Sequence, residues 1–88
     1  MKNLLGLLGL VVALLPAAAL ADASHCYAIK NADMKNNCLA TVNHDKSRCY
    51  AINDRDLKNS CLAQVGKDRS RCYSIQDRDQ KQQCLAEF

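Results

Sequence analysis

The stretch Cys49–Ala63 occurs three times in this 88-residue chain, each time with small changes. Its copies begin at Cys26, Cys49 and Cys72, which gives a period of 23 residues. All three copies follow the pattern C-Y-x-I-x-(N/D)-x-D-x-K-x-x-C-L-A. A fixed period of this length is typical of stacked repeats, which bury their apolar faces against one another. We therefore predict three tandem units, at 22–44, 45–67 and 68–88.

The segment before the first repeat has the composition of a secretory signal peptide. It begins with a positive charge at Lys2, continues with an apolar region over 4–15, and ends in the small residues Ala19-Leu20-Ala21. This order of regions is typical of a leader that is cleaved on export. A retained membrane anchor is the alternative, but Pro16 and the small-residue end favour cleavage. We expect residues 1–21 to be removed, which leaves 22–88 without a stable membrane anchor.

The predicted mature domain is small and rich in cysteine. It keeps all six cysteines within 67 residues, which is typical of an exported disulfide scaffold in an oxidising compartment. Without Lys2, its 11 basic and nine acidic side chains give a net charge of +2, and the two signs alternate along the chain. This pattern lacks the basic patch that nucleic-acid binding requires. The composition therefore predicts a periplasmic or secreted protein with no nucleic-acid partner.

Recurring polar residues predict two helices in each repeat. One set of preferred N-caps stands before a short segment, predicted to be helical over 46–52 in the middle repeat: Asp22, Asp45 and Asp68. A second set opens a longer helix, predicted over 55–65 in the middle repeat: Asn31, Asp54 and Asp77. Two residues later, a further carboxylate favours the same helix start through the helix dipole, at Asp33, Asp56 and Asp79. Each repeat is therefore expected to be a helical hairpin.

The apolar residues of the longer helix lie on one of its faces. In the middle repeat they are Leu57, Cys61, Leu62 and Val65. We expect this helix to end in a left-handed residue at Gly66, and at Asn43 in the first copy, because both residue types tolerate that conformation. In the last repeat Gln80 replaces Leu57, as suits a terminal repeat facing water, and Phe88 replaces Val65 and is expected to close the core. The predicted fold is an all-α stack of three disulfide-linked hairpins.

The repeat reduces the possible cysteine pairings to two periodic sets. Pairing within repeats uses every thiol and joins Cys26–Cys38, Cys49–Cys61 and Cys72–Cys84. Pairing across repeats joins Cys38–Cys49 and Cys61–Cys72, and leaves one cysteine unpaired at each end. The turns favour the second set, because Cys49 and Cys61 would differ in height by about 4.5 Å of helix rise. Complete pairing in an oxidising compartment favours the first set, which is the one that we predict.

Metal binding and catalysis are poorly supported by the sequence. Structural zinc sites usually use cysteines about two to four residues apart, whereas intervals here are 12 and 11 residues. His25 and His44 each occur in one copy only. The acidic pair Asp54 and Asp56 is explained by helix capping, and a domain of this size has little room for a catalytic pocket. We expect no metal, no cofactor and no enzymatic activity.

Two recurring sets of side chains are candidates for binding a protein partner. The tyrosines follow a cysteine in every repeat and point about 100° away from the cysteine face: Tyr27, Tyr50 and Tyr73. They either pack between repeats or form a ladder on the surface, and tyrosine is enriched at protein interfaces. The second set consists of arginines close to aspartates, at Arg48, Arg55, Arg71 and Arg78. These charges form either a solvated face or part of a recognition surface.

The repeated C-Y-x-I-x-(N/D)-x-D-x-K-x-x-C-L-A unit resembles the small Cys-repeat proteins that Gram-negative bacteria export to the periplasm. Some exported proteins of this size and type look like immunity proteins or inhibitors, which neutralise a secreted effector or hydrolase. The resemblance implies a non-enzymatic module that occludes a protein partner. The alternatives are a toxin-like or antimicrobial peptide acting on membranes, and a structural envelope protein. The low net charge and the lack of a strongly basic helix face argue against membrane action.

Overall fold

The computed structural model describes residues 23–88 of the chain. The predicted signal peptide, its cleavage site and the N-cap at Asp22 lie outside these residues. Within 23–88 every regular element is helical and no strand is present. The elements are a helical turn at 23–26, α1 (Ala32–Asn43), α2 (Lys46–Tyr50), α3 (Arg55–Gly66), the 3-10 helix η1 (Arg69–Ser74) and α4 (Arg78–Ala86). The prediction of an all-α fold built from three helical hairpins is confirmed.

The predicted N-caps open both kinds of helix. Asn31, Asp54 and Asp77 have extended backbones, and each side chain accepts the N–H of the residue three places later at 2.8–2.9 Å. Asp45 and Asp68 open the short segments and accept the N–H of the serine two places later at 3.1 Å. These bonds satisfy donors that the first helical turn leaves without a partner. The short segment is shorter than predicted in the second repeat and is a 3-10 helix in the third.

The left-handed residue after each of the first two long helices comes one place later than predicted. Asn43 and Gly66 are the last helical residues, and the positive φ angles belong to His44 (53°) and Lys67 (54°). After Lys67, the next backbone N–H donates to the Ala63 carbonyl at 3.0 Å, which closes a Schellman turn. The prediction of left-handed Asn43 and Gly66 was therefore wrong. The left-handed residue lies one place beyond Asn43 or Gly66, because the hydrogen bonds that satisfy the last carbonyls of the helix close the turn there.

The three disulfides join cysteines within each repeat: Cys26–Cys38, Cys49–Cys61 and Cys72–Cys84. Their Cα atoms are 5.5–5.6 Å apart, within the usual range for a disulfide. No cysteine is left free. The predicted pairing is confirmed. The difference in height that favoured the other set does not arise, because α2 ends at Tyr50 and residues 52–54 connect the helices without continuing either of them.

The core is thin and is lined largely by sulfur. Its largest fully buried aliphatic side chains are Leu39, Ile52, Leu62 and Ile75. Five of the six cysteines are also at most 2 % exposed. Leu57 and Val65 of the predicted apolar stripe pack against this core and remain partly exposed. So few large apolar side chains bury little area, and the disulfides are expected to supply much of the stability.

The third repeat departs from the others at its end. Gln80 is exposed, as expected for a terminal repeat. Phe88 is 50 % exposed, so the prediction that it closes the core was wrong. Its counterpart Val65 lies within α3 and faces the core, whereas α4 stops at Ala86 and leaves Phe88 beyond the helix end.

Candidate functional site

Any surface shared by the three repeats depends on the two junctions between them. At the first junction the Asp33 carboxylate of α1 accepts the backbone N–H groups of Asn53 and Asp54, at 2.9 and 3.0 Å. At the second, the Asp56 carboxylate of α3 accepts the two matching N–H groups of the third repeat, at 2.9 and 3.1 Å. These N–H groups lie at the entry to the next long helix. Each aspartate therefore fixes the start of its own helix against the start of the next.

The sequence explained these aspartates only by the helix dipole. Their hydrogen-bond partners lie 20 and 21 residues further along the chain, so no local pattern indicated the contact. Asp79 occupies the same place in α4, and within residues 23–88 its carboxylate accepts no backbone hydrogen bond. Of the three equivalent aspartates, two therefore join repeats and the third does not.

Replacing Asp56 with Ala should lower the thermal midpoint of unfolding by several degrees. The variant loses two hydrogen bonds to a charged acceptor, which are stronger than bonds between neutral groups. Asp79→Ala is the matched control, because it removes the same side chain from the same helix position without breaking a junction. Circular dichroism melts of dilute protein measure both. Equal losses in the two variants would show that the aspartates act only within their own helices.

Hydrogen bonding lowers the pKa of three carboxyl groups below the ordinary value of 3.8. For Asp45 and Asp68 the main cause is the bond from the hydroxyl of Ser47 or Ser70, which stabilises the charged form. For Asp56 the pKa is lowered mainly by the backbone N–H groups at the second junction. Asp68 is exposed, and Asp45 and Asp56 are partly exposed, so all three carboxyl groups can exchange protons with the solvent.

The stability of the protein should therefore fall in acid. A folded-state pKa below the unfolded value means that the unfolded chain binds the proton more tightly. The stabilising effect is fully present above pH 3.8 and is lost as the pH falls through the lower folded-state pKa values. Urea midpoints measured from neutral pH down to about pH 2 should stay level and then decline. The decline should be smaller in Asp56→Asn, and a midpoint that rises on acidification would contradict this reading.

The three recurring tyrosines lie on the surface. Tyr27, Tyr50 and Tyr73 are 62 %, 55 % and 57 % exposed, so each leaves most of its ring in water. Packing between neighbouring repeats does not account for them. Large exposed apolar groups that recur at one place in every repeat are a candidate contact surface.

The four arginines that were candidates for partner binding differ in their contacts and exposure. Arg48 donates to the Asn36 side chain of the preceding repeat at 3.3 Å, and Arg71 lies 3.9 Å from the Asp68 carboxylate. Arg55 and Arg78, which follow the N-caps of α3 and α4, are exposed. The arginine that meets a tyrosine is Arg69, whose guanidinium lies 5.8 Å from the centre of the Tyr73 ring. Arg69 was missed by the sequence analysis, although its spacing of four residues from Tyr73 gave a signal for such a contact.

A groove of about 590 Å³ runs across the long helices of all three repeats. Its walls carry two polar columns with one member per repeat, Asn37, Ser60 and Gln83, and Thr41, Gln64 and Glu87. None of the predicted tyrosines or arginines lines it. Leu57 and Val65 of the predicted apolar stripe also line the groove. The sequence analysis did not single out the two polar columns, because polar side chains on a helix are usually ordinary solvent-facing positions. The protein therefore offers two separate surfaces, the tyrosine surface (Tyr27, Tyr50 and Tyr73) and this polar groove.

Within residues 23–88 no group of three His, Cys, Asp or Glu side chains is placed to hold a metal ion. No helix in the same range is long and apolar enough to cross a membrane. The three disulfides indicate an oxidising environment, such as the periplasm or the cell exterior. Comparisons with models of protein families, with curated proteins and with solved structures find no match to this chain.

Proposed function

We propose that the protein is a non-enzymatic binding module of the periplasm, released there by cleavage of its signal peptide. It acts as an immunity protein or inhibitor of a secreted effector or hydrolase. The observation that carries the proposal is the exposure of the three repeated tyrosines. A protein with so small a core leaves three large aromatic side chains in water at one place in each repeat. Tyrosine in such a setting contributes most strongly to binding when a partner covers it.

The scaffold suits recognition of a folded partner. Each disulfide closes one helical hairpin, and two carboxylate-linked junctions hold neighbouring repeats together. A rigid surface loses little conformational entropy on binding, so more of the contact energy appears as affinity. Tyrosine adds a large contact area with few rotatable bonds. Binding would then neutralise the partner by steric occlusion, without any bond being made or broken.

The exposed arginines indicate what charge the partner's surface should carry. Arg55 and Arg78 are exposed and accessible to carboxylates of a partner, whereas Arg48 and Arg71 are only partly exposed and have side-chain partners within the chain. Arg69 holds a positive charge over the Tyr73 ring and adds to this set. A partner with an acidic surface flanking apolar pockets would complement the tyrosines and these arginines.

The experiment begins with the purified protein immobilised and exposed to periplasmic and secreted fractions of the producing bacterium. A recovered protein is then purified, and its affinity for the wild type is measured by calorimetry. The variant Tyr27→Ala/Tyr50→Ala/Tyr73→Ala should weaken binding by about tenfold or more, since interface tyrosines often contribute above 1.4 kcal/mol. If the partner is a hydrolase, its activity should fall in proportion to the complex formed.

The groove supplies the matched control. Asn37→Ala/Ser60→Ala/Gln83→Ala changes one residue per repeat on the other surface and should leave the affinity unchanged. Loss of binding in this variant, with full binding by the tyrosine variant, would place the contact in the groove and refute the proposed surface. Failure to recover any protein, together with leakage of liposomes on addition of the pure protein, would favour action on membranes.

A further inference from the structure

The two ends of the repeat stack present the two halves of an internal junction. At each junction one repeat supplies a carboxylate, and the next repeat supplies two backbone N–H groups. In the first repeat the matching N–H groups are those of Lys30 and Asn31, which make no hydrogen bond within residues 23–88. In the third repeat the matching carboxylate is that of Asp79. The first repeat thus has the two N–H donors of a junction, and the third repeat has the carboxylate acceptor. These are the same groups that join neighbouring repeats inside the stack.

Apolar side chains at the two ends are also less buried than their counterparts inside the stack. Inside the stack an alanine of one repeat packs with a cysteine and an isoleucine of the next, as Ala63 does with Cys72 and Ile75. Ile75 is 1 % exposed, but its first-repeat counterpart Ile29 is only partly buried. Ala63 is fully buried, but its third-repeat counterpart Ala86 is exposed. Leu85 is likewise only partly buried, whereas its two counterparts are 1 % exposed.

Two departures from the repeat add charges of opposite sign, one at each end of the stack. Lys30 stands where the other repeats have the neutral amides Asn53 and Gln76, whose backbones lie at the internal junctions. Glu87 stands where the second repeat has Gln64, and Gln64 donates to Glu87 across the second junction. The positions that Lys30 and Glu87 occupy in the repeat therefore both lie at boundaries between repeats. The first repeat faces outward with an added positive charge, and the third with an added negative charge.

We propose that copies of this protein associate head to tail, so that the third repeat of one copy stacks on the first repeat of the next. The Asp79 carboxylate accepts the N–H groups of Lys30 and Asn31 of the second copy. Ile29 of that copy covers Leu85 and Ala86, and Lys30 lies near the acidic end. The contact is heterologous and leaves each copy with one unused half of the junction, so it extends into a linear chain instead of closing as a dimer.

This association goes beyond the proposed partner binding. Continuing the stack would repeat the tyrosine surface from copy to copy at the spacing that the disulfide-linked repeats already set. A partner with several binding sites would then be held by several copies at once, with a gain in avidity. The proposal rests on the proposed removal of residues 1–21, which leaves the first repeat as one end of the stack, and it does not depend on what that partner is.

The first test is sedimentation of the protein, purified in the form that the cell exports, over a wide range of concentration. The average mass of the wild type should rise from one copy to several as the concentration increases. Higher salt should weaken the association, because the added charges of Lys30 and Glu87 are opposite in sign. Asp79→Ala should remain a single copy throughout. Its melting curve in dilute solution should match the wild type, which separates loss of contact from loss of fold.

The second test distinguishes this contact from any other self-association. Lys30→Glu places a carboxylate against Asp79 and should also remain a single copy. Mixing Lys30→Glu with Asp79→Ala restores one wild-type junction, because the first retains Asp79 and the second retains Lys30. The mixture should form a one-to-one dimer that grows no further. A wild type that stays a single copy at all concentrations, or variants that associate as the wild type does, would overturn the proposal.

Discussion

Replacing Cys49 and Cys61 together with Ala should lower the free energy of unfolding by about 3 kcal/mol. The bridge joins residues 12 apart, and removing it restores the entropy of an open loop to the unfolded chain. Alanine avoids placing a hydroxyl in the core, where both cysteines are at most 1 % exposed. A domain of this size has only about 5 kcal/mol of stability, so the variant should be close to unfolding at room temperature. Urea titration followed by circular dichroism measures the loss.

The terminal bridge provides the comparison. Cys72 and Cys84 close a loop of the same length, but among the repeats that the structure describes the third has a neighbour on one side only. Their removal should loosen the third repeat and leave the first two largely helical. Reduction of all three disulfides should remove most of the helical signal, because the aliphatic core is small. A reduced protein that keeps its full helical signal would contradict the view that the disulfides hold this fold together.

Replacing Leu62 with Ala should destabilise the protein by about 2–5 kcal/mol. Leu62 is 1 % exposed and belongs to the cluster that joins α3 to α2 and to Ala40 of the preceding repeat. Truncation removes apolar contacts and leaves a cavity, and the disulfide next to it restricts how far the surroundings can collapse. The effect should appear as a lower urea midpoint with little change in slope, because the unfolded chain exposes nearly the same area.

Leu85→Ala is the matched control for Leu62→Ala. It removes the same side chain from the same position in the repeat, but Leu85 is only partly buried, because no described repeat follows it. Its effect in dilute solution should be clearly smaller than that of Leu62→Ala. A loss as large as that of Leu62→Ala would mean that the outer face of the third repeat is covered in solution even when the protein is dilute.

Features that depend on near neighbours could be predicted from the sequence. A side chain that caps a helix reaches an N–H two or three residues away, so Asp45, Asp54 and Asp77 could be assigned from the pattern alone. The apolar stripe of α3 follows from the helical period in the same way. The small size and the number of cysteines indicated that disulfides were needed. The rule that no thiol be left over selected the pairing that the structure has.

Predictions about the helix ends and the surface were less successful. The left-handed residue was placed at Gly66 because glycine tolerates that conformation, but the turn that satisfies the last carbonyls closes around Lys67. Phe88 was expected in the core from its place in the repeat, but α4 ends before reaching it. The arginines looked equivalent in sequence, although Arg48 and Arg71 have partners within the chain and Arg55 and Arg78 are exposed.

The sequence by itself determined the 23-residue unit, its two helices, their N-caps and the need for three disulfides, because each of these depends on residues close together in the chain. Only the tertiary structure decided that Asp56 joins two repeats and that equivalent Asp79 does not. It also decided that the tyrosines face water and that the polar groove lies elsewhere. These features depend on how one hairpin stacks on the next, which brings together groups about 20 residues apart. A repeat pattern fixes what each unit contains, and the stacking of units fixes which of its groups remain free to bind.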